Sequence, residues 1–188
     1  MLLVVGLGNP GREHEGQRHN VGFTVTGELR RRWGLPEPRA RWNALWTRGV
    51  ALGADVALLE PQTYMNLSGD AVQPAAAFLE VKPGDLVVVH DELDLRWKDV
   101  RLKVGGGHGG HNGLRSLIAR VGTPDFVRVR VGVGRPPPGW DPARWVLSRF
   151  DPVDRAELPD VVARAADAVE LVVTRGVAAA MSALHTKP

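Results

Sequence analysis

The feature that most constrains the chain is a short run with no polar side. Leu86-Val87-Val88-Val89 stands between the turn Lys82-Pro83-Gly84-Asp85 and the polar cluster His90-Asp91-Glu92. Branched apolar residues without alternation suit a strand covered on both faces, which places it in a sheet flanked by helices. In open α/β sheets chemistry gathers beyond the carboxyl ends of such strands, where this cluster stands. Leu2 to Leu7 reads as an earlier buried strand ending in the turn Gly8-Asn9-Pro10-Gly11. Val21, Val25, Leu29 and Trp33 then recur every fourth residue, as on one face of a helix, with Gly34 as its stop. Trp42-Ala44-Trp46 and Val56 to Leu59, separated by Gly53, suit a hairpin. Ser68 to Glu80 reads as a helix in which Pro74 makes a kink or lies near the true start. Strands are expected at Val100 to Val104 and Phe126 to Val133, with a helix from about Leu114 to Val121. From Pro152 the chain is Ala-rich and helical, with Pro159 as an interruption. The expected fold is α/β, a single domain over residues 1–188 with a twisted mixed sheet between helices.

Composition narrows the function. With no cysteine, disulfides, thiolate metal sites and a cysteine nucleophile are excluded. No stretch approaches the roughly 20 apolar residues of a membrane span, and Met1 to Leu7 lacks the basic start and the length of a secretion signal. A cytoplasmic protein is therefore expected. The net charge of +3 permits a nucleic-acid partner without demanding one, and the six tryptophans are read as packing residues before a base-stacking platform.

Gly6-Leu7-Gly8-Asn9-Pro10-Gly11 has the spacing of a dinucleotide-binding turn but not its context. Pro10 and a polar stretch delay the helix to about Val21, and Glu28, the nearest acid at the right offset, falls inside that helix. The turn's other use is to present Asn9, whose amide carries donors and an acceptor, although turn conformation alone also explains an asparagine there. Asn20 is explained as a helix N-cap. His19 can take a proton from water near neutral pH if a carboxylate holds its ring, and Asp91 is the candidate; a surface histidine and a solvated acid are the plain alternative. A metal site is disfavoured, because His108 and His111 lie in a glycine-rich loop where imidazoles would not be held on one rigid face. That loop, Gly105 to Gly113, ends at a helix start and could cradle an anion or a carbonyl oxygen, or be only flexible; it lacks the Lys-Ser/Thr of a nucleotide loop. In Val100-Arg101-Leu102-Lys103-Val104 and Val127-Arg128-Val129-Arg130-Val131 the cations alternate with apolar residues, so each strand points two cations to one side. Solvated edge charges explain this, but beside a candidate hydrolytic site at His19 and Asp91 a phosphate-binding surface explains it better.

Gly6 to Gly11, Arg18-His19-Asn20-Val21-Gly22, Pro61-Gln62-Thr63-Tyr64-Met65-Asn66-Leu67-Ser68-Gly69, His90 to Asp94 and Gly109-Gly110-His111-Asn112-Gly113-Leu114 together resemble the bacterial-type peptidyl-tRNA hydrolase family in order and spacing. The likeness continues through Arg128 to Pro136 and Val146 to Phe150. It implies a monomeric, cytoplasmic enzyme, without metal or other cofactor, that frees tRNA from the peptidyl-tRNA of stalled ribosomes. His19 would be the catalytic histidine and Asp91 its partner. Asn9, Asn66 and Asn112 would supply amides around substrate and water, and glycine-loop N–H groups would join them at the oxyanion. His14, Met65, Leu93 and Gly109 would bind the substrate, with Met65 lining the peptide channel. Arg101, Lys103 and Arg128 would meet phosphates of the tRNA acceptor end, including the 5′ phosphate. His14 departs from the family's usual tyrosine, and Glu60 stands where lysine is common, which weakens one tRNA contact. A catalytically silent RNA-binding protein and a metal-dependent hydrolase are the rival readings; the first leaves His19 and Asp91 without a role.

Overall fold

Leu86 to Val89 are at most 1% exposed, as a strand covered on both faces must be. The computed structural model describes residues 1–185, so the last positions of the expected 1–188 unit lie outside the described residues. In chain order the elements are β1 (Leu2–Gly6), α1 (Val21–Trp33), β2 (Arg39–Arg41), β3 (Ala44–Ala51), β4 (Ala54–Pro61), α2 (Ser68–Phe78), β5 (Leu86–Glu92), β6 (Val100–Val104), α3 (Asn112–Val121), β7 (Val127–Gly132), α4 (Pro142–Val146), α5 (Pro152–Arg175) and α6 (Val177–His185). The seven strands form one mixed sheet in the order β2-β3-β4-β1-β5-β7-β6. β4, β1, β5 and β7 run parallel in its middle, while β2, β3 and β6 pair antiparallel at the edges. Val4, Val87, Val89 and Val129 face α1, α5 and α6; Leu3, Val5, Leu59 and Val88 face α2 and α3. The expected α/β sheet between two helical layers is the observed one.

The hairpin of β3 and β4 turns at Leu52-Gly53, and Gly34 closes α1 in the left-handed conformation at φ 60°, which glycine adopts without strain. Pro74, expected to kink its helix or lie near its start, and Pro159, expected as an interruption, both lie inside continuous helices. Pro74 sits within α2, and Pro159 does not interrupt α5; the C-terminal helical region breaks at Gly176 instead. A proline removes one helical hydrogen bond and crowds one carbonyl, and α5 offsets this with a buried apolar face from Val161 to Val172. Helix α4 was not foreseen. It is a single turn started by Asp141, whose side chain accepts the Ala143 N–H.

The packing that positions the rest is the crossing of α1 over β1 and β5. A Cβ at Gly22 would lie 2.5 Å from the Leu7 nitrogen and 2.6 Å from the Val89 oxygen, and one at Gly6 would lie 2.3 Å from the Gly22 oxygen. Only hydrogen at both positions lets the backbones approach so closely, and the Leu7 N–H donates to the Val89 carbonyl beneath. Gly22→Ala should therefore cost about 3 kcal/mol, because the added methyl meets backbone that cannot yield. By thermal unfolding this is a Tm lower by roughly 6–12 °C for a chain of this size. Gly27→Ala, with nothing within 4 Å of its Cβ, should instead be neutral or stabilise by up to about 1 kcal/mol. Equal effects of the two substitutions would contradict the crossing as described.

Candidate active site

The 3-10 turn Arg18–Asn20 leads directly into α1, so the crossing at Gly22 sets His19 against the carboxyl end of β5. There Asp91, 2% exposed, accepts two hydrogen bonds: His19 Nδ1 donates to Oδ2 at 2.8 Å and His111 Nε2 to Oδ1 at 2.9 Å. Burial alone would raise the Asp91 pKa, but the two imidazoles and their hydrogen bonds outweigh it and hold the carboxyl well below its ordinary value. For His19, burial opposes the imidazolium, and the Asp91 charge and hydrogen bond more than compensate, so its pKa stands above the usual 6.5. With Nδ1–H engaged, Nε2 is the free nitrogen. It has no partner among the described residues, and His19 lines a cleft of about 620 Å³.

His111 is the site residue that sequence reasoning passed over. It is the N-cap of α3, and its Nδ1 accepts the N–H groups of Gly113 at 3.1 Å and Leu114 at 3.2 Å. This corrects the expectation that the glycine loop could not fix an imidazole. Among the described residues, His19, Asp91 and His111 each place a possible ligand atom within 4.8 Å of the others. The cluster nonetheless fits a metal poorly. For Nε2 of His111 to offer a lone pair, Nδ1 would have to carry the proton and point it at two backbone N–H groups. His90, the next imidazole, is fully buried; its Nδ1 donates to the Asp91 carbonyl, and burial pushes its pKa down to about 3. It stays neutral and carries no charge toward the cleft.

The amides assemble around Asn9. Asn20 occupies the N-cap position of α1 but does not cap it: its Oδ1 accepts the Asn9 N–H at 2.8 Å and its Nδ2 donates to the Asn9 carbonyl at 2.9 Å. Asn9 Oδ1 accepts the Met65 N–H at 2.7 Å. Its oxygen being engaged, the Asn9 Nδ2 donors are left for the cleft that Asn9 lines. Met65, Asn66, Leu93, Gly109 and Asn112 also line the cleft. His14 does not; its ring meets the edge of Tyr64, which does, and Nδ1 pairs with Gln17 Oε1 at 2.9 Å. The glycine loop offers fewer oxyanion donors than expected, because the N–H groups of Gly110, His111, Gly113 and Leu114 are engaged by His108 and His111. Glu60 faces α1, accepting from Thr26 Oγ1 at 2.5 Å.

The basic stripes are adjacent: Arg101 stands opposite Arg130 and Lys103 opposite Arg128. Arg101 and Lys103 are exposed. Arg128, expected to meet phosphate, is 2% exposed, and its guanidinium donates to the carbonyls of Gly106, Gly107 and Pro124 at 2.5–3.1 Å. It holds the glycine loop down. Arg130 pairs with Glu92 at 3.0 Å and, with Lys103, His108 and Arg128, lines a second cavity of about 260 Å³ that shares Glu92, Asp94 and Gly109 with the cleft.

Comparison with known proteins places this arrangement. Residues 3–188 match the family described as Peptidyl-tRNA hydrolase. A Sorangium cellulosum peptidyl-tRNA hydrolase is 52% identical, covering 100% of this chain and 85% of its own. One from Mycobacterium tuberculosis is 48% identical over 98% of this chain and 97% of its own. The crystal structure of peptidyl-tRNA hydrolase from Acinetobacter baumannii superposes with a TM-score of 0.92 at 37% identity, covering 99% of this chain and 95% of that one. This chain belongs to the peptidyl-tRNA hydrolase family.

Proposed function

We propose that the chain hydrolyses the ester between a peptide and the 3′ end of its tRNA, with His19 as general base and no metal or other cofactor. The observation that carries this is the pairing of His19 Nδ1 with Asp91, which leaves a bare Nε2 at the cleft that the free amide donors of Asn9 also line. Nε2 removes a proton from water as its oxygen attacks the ester carbonyl. The Asn9 amide, with Asn66 and Asn112, stabilises the oxyanion, a contribution worth about 3 kcal/mol per well-placed donor. The intermediate collapses, the ribose oxygen leaves with the proton from Nε2, and the products are a peptide carboxylate and tRNA with a free terminal hydroxyl. Asp91 stabilises the imidazolium between the two steps, as a carboxylate does for a general-base histidine. Met65, Leu93 and Gly109 contact the acyl part, and His14 acts through Tyr64. Phosphates of the acceptor end meet Arg101, Lys103 and Arg130, the last two beside the cavity next to the cleft. The enzyme works as a cytoplasmic monomer on peptidyl-tRNA from aborted translation. Among the described residues no helix is long and apolar enough to cross a membrane.

A raised His19 pKa means that the imidazole stays protonated to higher pH, and a protonated base is inactive. The acidic limb of kcat/KM should therefore have its midpoint above 6.5. His19→Ala should lower kcat by about 10² or more with little change in tRNA binding, and Asp91→Asn should move the midpoint down. Prolonged chelation should leave turnover intact. A midpoint below 6.5, or loss on chelation restored by zinc, would overturn this assignment.

The phosphate contacts make a second expectation. Arg101→Ala and Lys103→Gln should raise KM, leave kcat nearly unchanged, and each make the salt dependence of binding shallower by about one unit of slope or less. Arg128→Gln should behave differently, lowering Tm and kcat together because it frees the glycine loop that carries His111. Identical behaviour of Arg128→Gln and Lys103→Gln, measured on full-length peptidyl-tRNA across a salt series, would return Arg128 to the phosphate surface.

A further inference from the structure

Arg18 precedes His19, has no part in the proton transfers, and is among the largest fully buried side chains at 1% exposure. A guanidinium removed from water needs its donors and charge met by the fold. Nη1 donates to Ser148 Oγ and to the Arg149 carbonyl, both at 2.7 Å. The Arg18 backbone N–H donates to the Ser148 carbonyl at 3.0 Å, and Gln17 bridges Arg149 in antiparallel fashion. Nη2 lies 3.7 Å from the exposed Asp151 carboxylate and has no hydrogen-bond acceptor among the described residues. The guanidinium carbon sits 3.6 Å from the Trp145 ring centroid and 5.4 Å from that of Phe150.

These contacts continue outward. Trp145 meets the exposed Trp140 edge-on at 5.8 Å and donates its Nε1–H to the Gly134 carbonyl at 2.9 Å, while Phe150 tilts against Trp97 at 5.0 Å. Half of the six tryptophans thus join one chain of ring contacts, with Arg18 at its centre. That chain ties together two parts of the site. On one side, Pro142, Ala143, Val146 and Leu147, in and just after α4, line the cleft. On the other, the 3-10 turn from Arg18 carries His19. Helix α4 is too short to hold that wall by itself, and it lies in a segment outside the sheet.

We propose that Arg18 is a positioning residue for ester hydrolysis: it locks the α4 wall and the His19 turn into one unit, so that this wall of the cleft and the base keep a fixed spacing. Only a planar fork meets this geometry, since it reaches two oxygens at one end while its face lies against an indole; lysine carries the charge without the plane. The proposal rests on His19 being the base.

The test measures Arg18→Lys, Trp145→Leu, Ser148→Ala and His19→Ala on full-length peptidyl-tRNA below each variant's own Tm, and follows the His19 Nδ1–H resonance by proton NMR. Arg18→Lys and Trp145→Leu should lower kcat by about ten- to a hundred-fold with KM changed by no more than about two-fold, as expected when reacting groups shift by about 1 Å. Ser148→Ala should lower it less, and the resonance should move or broaden in all three. Should Arg18→Lys fail to fold, the other two decide by the same criteria. A lower Tm with unchanged kcat and an unmoved resonance would show a merely structural cation and overturn the proposal. A fully active Arg18→Lys beside an inactive His19→Ala overturns the positioning role alone, whereas an active His19→Ala overturns the base assignment beneath it.

Discussion

The site depends on two backbones passing at the closest distance that hydrogen allows. Gly6 ends β1 and Gly22 stands in the first turn of α1, and neither has room for a Cβ against the backbone it crosses. Because α1 lies so low on the sheet, the 3-10 turn before it drops His19 beside Asp91 instead of holding it out over the cleft. The same pattern recurs at Gly113, where a Cβ would meet the Met65 sulfur at 2.6 Å. The start of α3 is thus pressed toward the Asn9–Met65 side of the cleft. Glycines quoted in the sequence as parts of a turn act here as the contacts that set the depth of the site.

Asp91 then sorts three histidines into three roles. It is buried, so both its oxygens need donors, and each takes one imidazole. His111 has its other nitrogen engaged by the backbone of α3, so it can only brace the carboxylate. His90 is enclosed and held neutral, with a pKa near 3. His19 alone keeps a nitrogen open to the cleft, and the charge that raises its pKa is the charge that would stabilise its protonated form during catalysis. Chemical inequality among identical side chains arises from which nitrogen the fold has already engaged.

Much of this was legible in the sequence. The apolar run at Leu86–Val89 and the four-residue period of α1 report burial directly, and burial decides the fold class. The pairing of His19 with Asp91 was a candidate on chemical grounds, and Asn9 a candidate through its turn. Partner choice was less legible. Asn20 has the identity of an N-cap, yet its side chain joins Asn9, eleven residues earlier, because the turn brings the two backbones together. His111 looked mobile among glycines, although one position before a helix start is where a side chain can cap; the second oxygen of Asp91 was the signal that a further donor was needed. Arg128 alternates with apolar neighbours just as Arg130 does, and both border the second cavity; only the path of the glycine loop, whose carbonyls take the Arg128 guanidinium, buries the one more deeply than the other. Pro159 would break an isolated helix, and α5 tolerates it because tertiary packing outweighs the local cost.

The central claim is that His19 holds its proton on Nδ1 toward Asp91 and presents a bare Nε2 to the cleft. Nitrogen-15 NMR of the protein labelled at histidine reads this directly. The account predicts, at pH above the His19 midpoint, a spectrum with Nδ1 protonated and Nε2 unprotonated, titrating with the same midpoint as the acidic limb of kcat/KM. A His19 protonated on Nε2 at high pH, or one whose titration lies more than about one unit from the kinetic midpoint, would contradict it.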